Sequence, residues 1–318
     1  MVTDIEITGK ANALALEIAK CSDVCNSLTD INHPCNSVVT WQAGKFSPKI
    51  TEVAGSNLQR PEPWTGDLTQ AKMIFLSSNP SFDASENYPT WNEELWHDEA
   101  VSQFGAKRFV SDFKRNFGAM DSPDSEIRDR TIGRDGTLSK EVAHWRWVRQ
   151  FAAFALGKPV RETSAITDYV MTELVHCKSP HEEGVVQALS HCSEKWFEKI
   201  MELSPAKVLF ITGAKAAEAI VSVYGDSIPD DWGSWGNSKF GKGKGTWPRT
   251  GLELENLMAS DLWNAEAQMK NMCRVKISGL SRLLVYVARP GGGGGINTPW
   301  NHADLVDSKI IETWRQEF

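Results

Sequence analysis

Lys72-Met-Ile-Phe-Leu-Ser77 runs straight into Ser78-Asn79-Pro80-Ser81. The first stretch is continuously apolar, without the alternation of a strand that has one wet face. Such a run predicts a strand buried on both faces, the type found in parallel sheets. The Ser-Asn-Pro-Ser that follows is a turn signal. Outward from this point the same grammar recurs. A second strand is predicted at about Asp168 to Val175, and a third at Lys207-Val-Leu-Phe-Ile-Thr212, ending in Gly213. Trp147, Phe151 and Phe154 recur at helical spacing before the second strand, and Trp196, Ile200 and Leu203 do so after it. A helix from Ala214 to Val221 follows the third. Two further strands are predicted near Cys273 to Ile277 and Leu283 to Val287, with a closing helix from about His302 to Trp314. Alternating strands and helices predict an α/β fold: a three-layer α/β/α sandwich around a mainly parallel sheet, with right-handed crossovers.

The rest of the chain attaches to this frame. Residues 1–60 read as an amino-terminal segment, with a helix over 10 to 25 carrying Cys21 and Cys25. Residues 26 to 70, rich in Asn, Pro, Gly and Ser, read as loop. Residues 100 to 140 are polar, with a helix expected from Val101 to Phe117, and residues 225–270 form a basic insertion rich in Gly and Trp. The 318 residues, 41% apolar and 24% charged, suit a single domain with a sizeable core. No apolar run reaches membrane-spanning length, and the amino terminus lacks the order of a signal peptide, so a cytoplasmic, non-membrane protein is expected. The net charge of −7 argues against a generic nucleic-acid coat and permits a local basic groove. Six cysteines in a cytosolic chain point to free, redox-active or metal-bound thiols rather than disulfides. The 13 tryptophans are either core or stacking platforms.

In open parallel sheets, ligands bind beyond the carboxyl ends of the strands. Three strand ends carry unusual residues: Asn79-Pro80-Ser81, Glu173 to Cys177, and Arg289-Pro290-Gly291. In order and spacing these pieces resemble the uracil-DNA glycosylase superfamily over roughly residues 64 to 300. Ser77 to Ser81 resembles its first motif, where an Asp or Asn at the Asn79 position handles the attacking water. Thr172-Glu173-Leu174-Val175-His176-Cys177-Lys178-Ser179-Pro180 is similar to the iron–sulfur branch. Val208 to Ala219 resembles the next strand, Gly turn and helix. Ala288-Arg289-Pro290 stands where the family has His-Pro-Ser.

The resemblance implies a DNA glycosylase. Hydrolysis of a nucleotide's glycosidic bond builds positive charge on the sugar and negative charge on the base, so a site needs a positioned water and donors to the base. Asn79 and Arg289 are the catalytic candidates: the first to position water, the second to donate to the departing base. An ordinary turn and a surface charge are the plainer readings of the two. At the family's base-reading Asn stands Glu173. A carboxylate cannot donate to uracil O4 but accepts from a cytosine amine, and if protonated it also donates to cytosine N3. Glu173 therefore argues for a cytosine-like edge, a salt-bridged glutamate being the alternative. By the same resemblance, Ser81 stands where one branch of the family has a large Tyr that excludes a 5-methyl group, so a small residue permits a substituent at the base's C5, as other branches also do; the glycines from Gly291, Gly292 and Gly293 to Gly295 permit close approach or a bulky substituent. These departures resemble the antiphage branch that removes glucosylated hydroxymethylcytosine.

Phe82, Tyr88 and Trp91 are candidates to stack on a flipped base, and Ile296 to wedge the duplex. For each of the aromatics, core packing is the plainer reading. Lys239, Lys242 and Lys244 are candidate phosphate contacts, with a solvated loop as the alternative. The motifs assign no lysine nucleophile, so an abasic product should persist. By the resemblance, Cys21, Cys25, Cys177 and Cys192 would hold a [4Fe–4S] cluster, with Cys35 able to replace one of the first two. Zinc, or inert buried thiols with no cofactor, are the alternatives. The expected partner is DNA containing a modified base. Uracil repair, a catalytically inactive DNA-binding relative and an unrelated α/β enzyme remain as rivals.

Overall fold

The computed structural model describes residues 4–46, 58–90, 128–233, 265–287 and 306–318. Its centre is a five-stranded sheet built from β1 (Met73–Ser77), β4 (Tyr169–Glu173), β5 (Val208–Thr212), β6 (Met272–Ile277) and β7 (Leu280–Val287). Their order is β4-β1-β5-β7-β6. The first four strands in that order are parallel, and β6 pairs antiparallel with β7 at the edge. The last two strands thus form a hairpin within the parallel frame. Its two-residue loop, Ser278-Gly279, has positive φ at both positions, 48° and 81°. A primed hairpin turn needs that geometry to match strand twist.

Side-chain alternation makes the layers. Ile74, Leu76, Val170, Leu209, Ile211 and Leu284 face one core, under α1 (Asp4–Ala19), α3 (Asn36–Phe46), α5 (Val185–Leu203) and α6 (Ala214–Tyr224). Met73, Phe75, Tyr169, Met171, Phe210 and Val285 face the other, under α4 (Ala143–Leu156) and α8 (Ser308–Arg315). Two buried faces explain why the strands read as unbroken apolar runs. The expected three-layer α/β/α sandwich is the observed architecture. Trp64, Trp145, Trp147, Trp196, Trp232 and Trp314 are buried, so these tryptophans are core.

Local physics sets the ends of elements. Gly157, at φ 68°, closes α4, while the Lys158 N–H donates to Ala153 O at 2.9 Å, the left-handed cap that satisfies terminal carbonyls. A short helix, α7 (Ala265–Met269), precedes β6, and Asp307 caps α8 by accepting from Lys309 N at 2.9 Å. The closing helix therefore starts at Ser308, later than predicted.

Two amino-terminal expectations are corrected. The helix predicted over 10 to 25 breaks at Lys20-Cys21-Ser22; α2 (Asp23–Thr29) is separate and carries Cys25. The predicted loop over 26 to 70 contains α3. Its later part runs antiparallel along the outer edge of β4: Thr65 and Met171 exchange backbone hydrogen bonds of 2.8 and 2.9 Å. Gly66 makes this approach possible, since a Cβ there would sit 2.5 Å from Ala165 O. The polar stretch before α4 also holds a short hairpin, β2 (Arg130–Ile132) and β3 (Leu138–Glu141). The predicted helix from Val101 to Phe117 lies outside the described residues. Among the described residues, no helix is long and apolar enough to cross a membrane.

Candidate functional site

The connection from β1 leads to β4 on one side, while that from β5 leads through α6 to the strands on the other. The carboxyl ends of β1 and β5 therefore flank a switch point, where parallel sheets open a crevice. Ser77 stands opposite Glu173, and Thr212 opposite Val287, two residues before Arg289. Two of the three predicted strand ends meet directly. Arg289 lies outside the described residues, as do Trp91, Lys239, Lys242, Lys244, Gly291, Gly292, Gly293 and Ile296.

Asn79 follows β1 and its amide is oriented. Nδ2 donates to Pro80 O at 2.8 Å and Ser179 O at 3.2 Å, spending both protons and leaving Oδ1 to accept. An amide held this way can fix a water by accepting one of its protons. The neighbouring loop is tied to β1 as well. Ser78 Oγ donates to Glu182 Oε1 at 2.5 Å, and Lys215 of α6 pairs with Glu182 Oε2 at 3.0 Å. His181 and Glu182 both have positive φ, 52° and 59°. Two such residues in succession, neither glycine, are costly and are maintained only by their surroundings. Ser81 is exposed and Phe82 half-buried.

Beneath Asn79 lies a buried polar floor. Glu173 is 8% exposed; Ser77 Oγ donates to its Oε1 at 3.4 Å, and its buried Oε2 has no hydrogen-bond partner among the described residues. Burial first, then the Glu62 charge, pushes the Glu173 carboxyl well above the usual range, against the pull of Lys178 and Ser77. Lys178, 2% exposed, sets its ammonium 3.4 Å from Glu62 Oε2, 3.1 Å from Glu86 Oε2 and 3.8 Å from the centre of the Tyr88 ring. Burial pulls the Lys178 ammonium down, but Glu86 and Glu62 outweigh it and hold it protonated. A lysine so clamped is no nucleophile, although it stands inside the quoted motif. Tyr88 is buried with one ring face occupied by Lys178, so that face is closed to a flipped base, and Phe82 is the better-placed stacking candidate.

Glu62 is held by its backbone. Its N–H donates to His176 O at 2.8 Å, and His176 Nδ1 donates to Glu62 O at 2.7 Å. Burial lowers His176 to about 4, so the ring is neutral. Glu62, Glu86 and Lys178 had no role in the sequence reading. The clue for Glu62 was a carboxylate between two prolines, Pro61-Glu62-Pro63, in a stretch otherwise poor in charge. Nothing local announced that this stretch would lie along β4.

On the other side of Cys177, four thiols gather from separate elements: Cys21 between α1 and α2, Cys35 before α3, Cys177 after β4 and Cys192 in α5. Burial raises each thiol, Cys35 to about 12, and Cys177 and Cys192 would each also feel negative charge on Cys21 and Cys35. Cys25 is exposed, and the charge that bears on it is Arg60. Cys35, named as its possible replacement, is the thiol that lies with the other three. The six cysteines form no disulfide. Lys195 Nζ donates to Cys21 Sγ at 3.5 Å, a contact that favours thiolate.

Beside the thiols, Asp23, His33 and His191 bring three possible ligand atoms within 4.8 Å of one another. The same atoms have other uses. His191 Nε2 lies 2.9 Å and Lys195 Nζ 2.8 Å from Asp23 Oδ2, and Cys35 N donates to His33 Nδ1 at 3.1 Å. With Nδ1 accepting, a neutral His33 carries its proton on Nε2, which then has no lone pair for an ion. The group can bind a metal only after these hydrogen bonds are rearranged. The four thiols form no such tight set. In comparisons with known proteins, no family model and no curated protein matches this chain.

Proposed function

We propose that the chain is a monofunctional DNA glycosylase that hydrolyses the N-glycosidic bond of a modified pyrimidine, favouring a 5-substituted cytosine such as the glucosylated hydroxymethylcytosine of phage DNA. The observation that carries this reading is the placement of Asn79 and Glu173 at the carboxyl ends of the neighbouring strands β1 and β4. An acceptor-only amide oxygen sits on the turn after β1, and an unpartnered carboxyl oxygen sits one strand away. Asn79 would hold the attacking water and Glu173 would read the base edge. Arg289 would stabilise the leaving base. The flipped base would stack on Phe82.

A second reading, uracil excision, gains from one observation. Glu173 is held towards its neutral form, and a neutral carboxyl can donate to uracil O4 as an amide does. The exclusion of uracil therefore no longer follows from Glu173 alone. Preference for a 5-substituted cytosine rests on the small, exposed Ser81, which permits a C5 substituent, and on the glycine run.

The thiols Cys21, Cys35, Cys177 and Cys192 would hold a [4Fe–4S] cluster. Such a cluster would supply structural cross-linking of the amino-terminal helices to β4 and α5. Lys195 would stabilise Cys21 as thiolate.

The test incubates the full chain with duplexes carrying uracil, hydroxymethylcytosine or glucosylated hydroxymethylcytosine and scores abasic sites by alkali cleavage. Cleavage at the glucosylated base, lost in Asn79→Ala while DNA affinity is kept, is expected. Cleavage at uracil alone would move the protein to repair. No abasic site in any duplex, with affinity retained, would leave a DNA-binding relative without this activity.

A further inference from the structure

We propose that Glu62 is a positioning residue that holds Glu173 as an uncharged carboxylic acid, so that the pocket offers one donor and one acceptor side by side to a pyrimidine edge. This rests on the reading of Glu173 as the base-contacting group and assigns how it makes that contact.

Carboxyl groups outnumber the ammonium that could neutralise them. The floor of the crevice holds three carboxyl groups, Glu62, Glu86 and Glu173, and one ammonium, Lys178. Lys178 is committed to the first two. Its contacts with Glu62 and Glu86 at 3.4 and 3.1 Å place it as their shared counter-ion. Glu173 has a single weak donor, Ser77 Oγ, on Oε1. A carboxylate that is nine-tenths buried, with one long hydrogen bond and a second carboxylate nearby, is stabilised by keeping a proton.

The groups that bear on it come from four segments: Glu62 from the strip beside β4, Ser77 from the end of β1, Tyr88 from the chain after β1 and Lys178 from the chain after β4. Glu86 and Arg60 bear on Tyr88. Burial is the larger influence on Glu173 and Glu62 the next. Oε1 already accepts from Ser77, so the proton belongs on Oε2, the oxygen without a partner. That O–H and the adjacent carbonyl oxygen then form a donor–acceptor pair.

The chemistry follows from the two forms. The neutral acid can donate to cytosine N3 and accept from its amine, or donate to uracil O4 and accept from N3–H. The anion has acceptors only, and matches an edge with two donors, such as cytosine protonated at N3. Rising pH should therefore weaken recognition of both neutral bases together. Discrimination between them must arise around C5 and not at Glu173.

The experiment has two readouts on the full-length chain. Infrared difference spectra with 13C-labelled glutamate follow the carboxylic acid carbonyl through a pH titration, with Glu173→Gln assigning the band. Affinity is measured in parallel for a duplex carrying one uncleavable 2′-fluoro uridine or 2′-fluoro 5-hydroxymethylcytidine. A Glu173 acid band at neutral pH is expected. In Glu62→Gln it should ionise at lower pH, because the neighbouring negative charge is gone. Affinity for both duplexes should fall about tenfold over the same interval. Should Glu62→Gln fail to fold, the wild-type titration and Glu86→Gln carry the test, the latter with a smaller shift in the same direction.

An ionised Glu173 at neutral pH overturns the proposal and leaves the glycosylase reading to the abasic-site assay. A neutral Glu173 whose ionisation leaves affinity unchanged overturns the proposal together with the base-reading role of Glu173.

Discussion

Cys177 and Lys178 are neighbours in the chain, yet they serve two regions that handle burial in opposite ways. Lys178 enters a floor of three carboxyl groups and is fully committed to internal partners. Cys177 joins three other thiols that burial keeps in their neutral form. In the first region the protein supplies its own counter-charge. In the second it supplies four thiols, with Lys195 as the ammonium that reaches them. The difference teaches what each region needs from outside: the carboxyl floor is complete without a metal, whereas the thiols gain most by losing protons to one.

The largest effect should come from the thiol side. Cys35→Ser should abolish iron incorporation, measured as iron and sulfide per chain after anaerobic reconstitution. Cys25→Ser should leave it unchanged. The reverse result would restore Cys25 to the ligand set and break the distinction between the regions. If neither the wild type nor the variants bind iron, the thiols are simply buried.

Next comes the carboxyl floor. Lys178→Met keeps the bulk and removes the charge, leaving Glu62 and Glu86 without their counter-ion. Breaking a buried pair in this way costs about 3–5 kcal/mol. The loss should shrink in acid, because the stranded carboxylates can then take up protons. Urea melts of the variant at several pH values check both the size and the sign. A small, pH-independent loss would mean that the floor is wetter than its burial implies.

Gly184 joins the two regions. It lies at φ 73° before α5, and a Cβ there would sit 2.4 Å from the backbone nitrogen of Val38 in α3, the helix that follows Cys35. Gly184→Ala should cost about 2–3 kcal/mol, combining left-handed strain with a backbone clash. It should loosen the thiol side first, which hydrogen exchange in α3 would register. Uniform loss of protection would show that α3 and the site loop unfold only with the whole protein.

These regions also divide what sequence could and could not reveal. The runs around Met73–Ser77 and Val208–Thr212 announced themselves, because strands buried on both faces must be apolar throughout. Asn79 and Glu173 were found because they close such strands. The floor was hidden, since Glu62 is brought beside Glu173 by the bridge of Thr65 to Met171 and by its own bond to His176 O, contacts between positions about a hundred residues apart. Cys35 was half visible: its thiol was noted, but the break after Ala19 that removes Cys25 from the set has no strong local signal. Lys178 was quoted within a motif and passed over, because exposed lysines are the rule and its burial depends on two distant glutamates.

The smallest effect concerns Glu173 itself. Its folded-state carboxyl titrates above the unfolded one, first because of burial and then because of Glu62. Below the unfolded range both states hold the proton, and the folded state carries no penalty. As pH rises, the unfolded chain releases the proton while the folded chain keeps it, so stability falls until the folded carboxyl also ionises. The slope from one group cannot exceed about 1.4 kcal/mol per pH unit. Glu173→Gln removes the titration and keeps the shape, so its stability, set against the wild type, should improve from mildly acidic to neutral pH. Paired urea melts across that interval measure the difference. A constant offset would mean that Glu173 titrates alike in both states, which would place its carboxyl in contact with water and return it to the ordinary ion pairs of a strand end.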